Sequence, residues 1–146
     1  MEAGREPVST RGGVHHVDLS VRDPQASRPF YEAVLGFMGY ENAHATPDGA
    51  GFEFDMAADV GGYHVSIGLV RAEPGAPEHN KRHPGLHHLA FRAESRADVD
   101  ALHALLREIG ANILDAPAEY PQYSAGYYAV FFADPDGLKL EFVFKP

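Results

Sequence analysis

The chain has no cysteine among its 146 residues, so neither a disulfide framework nor thiolate chemistry is open to it. That fits a reducing, cytoplasmic setting. Basic side chains are also scarce, 12 Lys and Arg against 21 Asp and Glu, for a formal net charge of −9. A nucleic-acid partner needs clustered cations to neutralise phosphates, and the balance argues against one. The nearest cluster, Lys81-Arg82, lies in a Pro- and His-rich stretch that reads as a solvated linker. Long apolar runs are missing too. Nothing approaches the length that spans a bilayer, no signal peptide is visible, and no membrane partner is expected. What is present, 45% hydrophobic and 23% charged residues, is the composition of a soluble globular chain long enough to bury one core. Residues 1–12 are polar, lack periodicity and run into Gly12-Gly13, and are expected to form a loose tail.

Internal similarity organises the rest. Val14-His15-His16-Val17-Asp18-Leu19-Ser20-Val21 resembles Leu86-His87-His88-Leu89-Ala90-Phe91-Arg92-Ala93, and each run precedes a helical segment ending in glycine. In the first half Ser27 is a candidate cap with Pro29 in the first turn, then an apolar stripe of Phe30, Tyr31, Val34 and Leu35 ended by Gly36. In the second, Ser95 with Asp98 resembles a capping box before Val99, Leu102, Leu105, Leu106 and Ile109, ended by Gly110. Strands are predicted over about 37–46, 50–57 and 62–71, and again over about 111–116, 126–133 and 138–144. The Pro- and Gly-rich stretch 72–85 is the expected linker between a first module, 13–71, and a second, 86–146. The pattern is β-α-β-β-β written twice in one globular domain, an α+β fold whose tandem modules form a curved mixed sheet or half-barrel around a central cavity.

Alternation along the strands sorts their side chains. Val17, Leu19 and Val21 belong under a helix, which leaves His16, Asp18 and Ser20 on the other face. Leu89 and Phe91 likewise leave His88, Ala90 and Arg92, and Leu138, Leu140, Phe142 and Phe144 leave Lys139, Glu141 and Val143. His16, His88 and Glu141 therefore share a face, and Glu141 interrupts a strongly apolar strand. Two imidazoles and a carboxylate can fill three positions of a divalent metal and leave others for water or substrate. The same ligands accept Zn, Ni, Co, Mn or Fe.

At these residues the chain resembles the vicinal oxygen chelate superfamily of glyoxalases, bleomycin resistance proteins and extradiol dioxygenases. The likeness rests on His16, on Phe30-Tyr31-Glu32-Ala33-Val34-Leu35-Gly36-Phe37, on His87-His88-Leu89-Ala90-Phe91, and on Asp134-Pro135-Asp136-Gly137-Leu138-Lys139-Leu140-Glu141. It implies a metal held by His16, His88 and Glu141, a small-molecule substrate that chelates it through neighbouring oxygens, and a homodimer. No single branch matches. Aligning Gly62 with Gly137 puts Ser66 where glutathione-dependent glyoxalases supply a second carboxylate, and Phe131 stands where dioxygenases carry a tyrosine. The expectation is a metal-dependent lyase or isomerase with Asp18 or Glu141 as base. The alternatives are an Fe(II) ring-cleaving dioxygenase and a metal-free ligand-sequestering protein of the bleomycin-resistance kind. His64, Ser66, Arg92, Tyr123, Tyr127 and Phe131 are the expected pocket residues, with Tyr120 adding aromatic surface that suits a flat or apolar substrate. Tyr128, alternating with that wall, belongs to the core.

Overall fold

The computed structural model describes residues 9–46 and 53–146; the first eight residues of the expected tail and residues 50–52 of an expected strand lie outside them. The first module runs β1 (His16–Val21), α1 (Pro24–Phe37), β2 (Glu41–Thr46), β3 (Glu53–Val60) and β4 (Tyr63–Arg71). The second runs β5 (Leu89–Arg92), α2 (Arg96–Glu108), β6 (Asn112–Glu119), β7 (Tyr128–Ala133) and β8 (Lys139–Phe144). Each builds its own mixed sheet, β1-β4-β3-β2 and β5-β8-β7-β6, with the first strand parallel to the last and the other pairs antiparallel. The α+β fold of two tandem βαβββ modules is thus present. His88 lies one residue before β5 rather than inside it.

Capping chemistry sets the helix ends. Helix α2 starts where the sequence places it: Ser95 accepts from the Asp98 N–H at 3.0 Å, while Asp98 accepts from the Glu94 N–H at 3.0 Å. Helix α1 starts four residues before the expected Ser27. Asp23 caps it, accepting from the Gln25 N–H at 3.1 Å, and Pro24 fills the first helical position, where a missing N–H costs nothing. Ser27 is buried inside the helix instead. The helix also runs past Gly36 and stops at Gly39, whose φ of +96° lets the Tyr40 N–H turn back to the Leu35 carbonyl at 3.0 Å. Gly110, at φ +68°, ends α2 in the same way, with the Ala111 N–H on the Leu106 carbonyl at 2.9 Å.

The helix-facing sides of both sheets share one core. Leu19, Val21, Ile67 and Leu69 of the first module and Val130, Phe132, Leu140 and Phe142 of the second belong to it. Each such side chain taken from water contributes about 1.5–3 kcal/mol. Helix α1 joins the modules: Phe30 packs on Phe132 and Phe37 on Phe142, with ring centroids 6.2 and 6.1 Å apart. Buried Tyr31 donates to Asp134 at 2.6 Å, and the other Asp134 oxygen accepts the N–H groups of Asp136 and Leu138. This is the Asp-Pro-Asp-Gly turn, held from across the module boundary. Burial raises the Asp134 carboxyl, against the pull of those hydrogen bonds, and burial together with the Asp134 charge raises the Tyr31 hydroxyl well above its usual value. No helix of the described residues is long and apolar enough to cross a membrane.

Candidate metal centre

With the helix sides of both sheets committed to the core, the opposite faces carry the candidate site. On β8 that face presents Glu141, 2% exposed and the only acidic residue besides Asp134 among the buried polar side chains described. A buried carboxylate needs partners, and it has two. His88 Nε2 lies 3.0 Å from Oε1, and Tyr127 donates its hydroxyl to Oε2 in a short hydrogen bond. Burial, and then the hydrogen bond to Glu141, raises the Tyr127 hydroxyl above its ordinary range. His88 has its second ring nitrogen engaged as well, with Nδ1 2.7 Å from Nδ1 of His87.

Aromatic rings surround this pair. Tyr120 stacks on Tyr123 at 5.6 Å and meets Phe131 edge-on at 5.5 Å, Tyr123 meets Tyr127 at 5.3 Å, and Phe131 meets His88 at 6.2 Å. Lys139 holds its ammonium 4.5 Å from the centre of the Phe131 ring. Phe131 and Tyr127 are therefore beside the site as expected, and Tyr123 is its exposed outer ring at 62%. Tyr128 points the other way, donating to Asp100 at 2.5 Å with Arg96 over its ring. Arg92 ends β5, exposed.

The first module gathers less. His16 Nε2 stands 3.9 Å from Asp18 Oδ2, with both side chains more than half exposed, and His16 Nδ1 lies 2.9 Å from Nδ1 of His15. His64 turns to Asp59, 3.1 Å away on the neighbouring strand, and does not join them. Ser66 is half-buried opposite His16 on β4. The register also revises the correspondence counted from glycines. Asp18 pairs with Gly68, and its counterpart in the repeat, Ala90, pairs with Glu141, so Gly68 rather than Ser66 occupies the position of Glu141. A Cβ on Gly68 would meet Asp18 Oδ1 at 2.3 Å. The Asp18 carboxylate lies over the glycine, in the space a β4 side chain would take.

The structure thus joins His88 with Glu141 and His16 with Asp18 but does not bring the pairs together within the chain. Among the described residues no three His, Asp or Glu side chains are close enough to hold one ion. The donor chemistry of the His88–Glu141 pair fits a divalent cation. A cleft of about 610 Å³ runs beside β1, walled in part by Asp18, Ser20, Arg22, His79, His83 and Leu138. One contributor escapes the sequence: His87 gives no signal beyond its repetition as His15. Tyr127 is expected on the pocket face, and the structure adds its hydrogen bond to Glu141.

The fold and this face define a class. The chain belongs to the Glyoxalase/Bleomycin resistance protein/Dioxygenase superfamily, whose family model matches residues 13–142. It is 32% identical over 130 residues to the Bacillus subtilis (strain 168) protein YqjT, covering 89% of this chain and 97% of that one. It is 30% identical over 130 residues to Glyoxylase I 4 of Arabidopsis thaliana, covering 88% and 68%. Among solved structures, a glyoxylase/bleomycin resistance protein/dioxygenase domain from Frankia sp. EAN1pec superposes with a TM-score of 0.71 at 28% identity, over 92% of this chain and 93% of that one.

Proposed function

We propose that the protein is a metal-dependent lyase or isomerase of the glyoxalase kind, acting on a small molecule with neighbouring oxygens. The buried His88–Glu141 pair carries this reading, because a carboxylate only 2% exposed and set 3.0 Å from an imidazole nitrogen is an expensive arrangement without a cation to serve. His88 and Glu141 would hold the ion with His16. Once bound, a divalent ion supplies Lewis-acid polarisation of a substrate oxygen. Asp18 takes a proton from the carbon next to the polarised carbonyl and returns it to the other carbon of the enediolate, its carboxylate set on the open face over Gly68. Phe131, Tyr120 and Tyr123 exclude water and seat a flat or apolar remainder of the substrate.

The third ligand comes, in this reading, from a second copy of the chain. Strands β1 and β5 are both edge strands of their sheets, and the His16–Asp18 face is uncovered. A two-fold pairing would set the first module of one copy against the second module of the other, twice over.

Elemental analysis of protein purified without chelator tests the site: about one equivalent of a divalent metal is expected, and Glu141→Gln should lose it. Metal below about a tenth of an equivalent, with no uptake on addition, overturns the reading. Mixing His16→Ala with Glu141→Gln protein under subunit exchange should restore about a quarter of the sites, because half of the mixed dimers' sites are intact. No restoration means that the site lies within one chain or that no dimer forms. For the reaction, solvent deuterium should enter α-hydroxycarbonyl compounds next to the carbonyl. Oxygen uptake with catechols by iron-loaded protein would instead favour ring cleavage.

A further inference from the structure

Each candidate ligand has two atoms that could bind a cation, and in each the outward atom is already occupied. Glu141 has Oε2 taken by the Tyr127 hydroxyl and Oε1 facing His88. His88 has Nδ1 taken by His87 at 2.7 Å and Nε2 facing Glu141 at 3.0 Å. The repeat shows the same device: His15 holds Nδ1 of His16 at 2.9 Å and leaves Nε2 toward Asp18. The rings meet nearly edge-on in both places, with interplanar angles of 84° for His15–His16 and 74° for His87–His88. An arrangement that recurs at both copies of a repeat, on histidines of which only His88 is half-buried and the others are exposed, is not explained by core packing.

We propose that His87 and Tyr127 are positioning residues of the metal site, each occupying one atom of a ligand so that only His88 Nε2 and Glu141 Oε1 face the cation. His15 does the same for His16. This rests on the metal reading above and adds to it which atoms bind and what selects them.

The chemistry follows from the imidazole ring. In the metal-free protein, with the ring proton on Nε2, His88 donates to Glu141 Oε1 and accepts at Nδ1 from the Nδ1–H of His87. To hold a cation His88 must present a bare Nε2, which puts its proton on Nδ1. There the His87 nitrogen, now bare, accepts it. The same contact therefore serves both states of His88, with donor and acceptor exchanged. On the carboxylate, the Tyr127 hydroxyl satisfies Oε2, so Glu141 enters the site through one oxygen.

The test uses the full-length protein and two independent readouts. Titration with Co2+, followed by visible absorption, should show His87→Phe and Tyr127→Phe each weakening uptake about 10–100-fold. His87→Asn, which keeps a hydrogen-bonding atom near the same place, should recover most of that loss. In metal-free protein, the His88 Nδ1 resonance should shift in His87→Phe, and the Glu141 carboxylate carbon resonance in Tyr127→Phe. Unchanged resonances together with unchanged Co2+ affinity overturn the proposal, as does a loss in His87→Phe that His87→Asn shares in full. If the wild-type protein takes up no Co2+, the metal reading fails, while the metal-free resonances still decide whether His87 and Tyr127 fix their neighbours.

Discussion

In the second module the carboxylate of the open face is 2% exposed, held by a tyrosine and a histidine and flanked by Phe131 and Tyr120. In the first module the imidazole equivalent to His88 is His16 and the nearest carboxylate comes from another strand, Asp18 of β1; the two are 54% and 56% exposed and stand 3.9 Å apart. The order of elements, the parallel pairing of first and last strands and the glycine closures of the helices are the same in both. Duplication preserved the scaffold and let the two faces diverge. One is pre-formed, the other open. Organisation of this kind in the absence of a ligand lowers the cost of binding, because the buried partners are already oriented. An open half contributes only when something approaches it.

Four measurements test that contrast. The largest effect belongs to the shared core: Phe132→Ala, at a fully buried ring packed on Phe30, should cost about 3–5 kcal/mol in urea unfolding. It should lower a single transition, and two transitions would mean that the modules unfold separately. Next, Glu141→Gln should reduce metal affinity by more than the roughly 100-fold expected for an outer partner, while Asp18→Asn costs less than about tenfold. Equal losses would erase the asymmetry between the faces.

Third, Tyr31→Phe removes the hydrogen bond that ties α1 to the Asp134 turn, at about 1–3 kcal/mol. It also changes the response to alkali. The native hydroxyl is raised well above the ordinary 10.0, so the folded protein keeps a proton that the unfolded chain releases. Stability from this group is complete below pH 10.0 and falls as the pH rises beyond it. Unfolding free energies across that range should decline less steeply in Tyr31→Phe than in the wild type. Smallest is His64→Ala, whose exposed ion pair with Asp59 should change stability by less than about 0.5 kcal/mol and leave metal uptake intact. A large loss of metal would place His64 in the site after all.

Much of this arrangement was legible in the residues. Strand alternation put His16, His88 and Glu141 on the faces turned away from the helices, and the Asp134 to Gly137 turn fixed where β8 begins. Ser95 and Asp98 marked the start of α2 because the whole capping box is local. Ser27 misled because Asp23-Pro24 offered a better cap just upstream, and nothing in the apolar stripe distinguishes the two. Ser66 was matched to Glu141 by counting from glycines, but the hairpins differ in length. Val60 pairs with Tyr63 across a two-residue turn, whereas Ala133 pairs with Lys139 across five residues. A count from the turn therefore lands on Ser66, two residues short of Gly68, and only strand register corrects it. Alternation with Phe131 put Tyr127 beside the site but did not show its hydrogen bond to Glu141, and the contact of His87 lies just before β5, where no periodicity operates.

Gly68 constrains how relatives of this chain can vary. An acidic or any larger side chain at that position and the present placement of Asp18 exclude each other, since a first carbon on residue 68 would sit 2.3 Å from the aspartate oxygen. The two sites should therefore change together across homologues: an acid on the first strand travels with glycine on the fourth, and a residue with a side chain on the fourth travels with a small or redirected one on the first. A lineage that places a carboxylate on the fourth strand must first swing the first-strand acid aside or replace it.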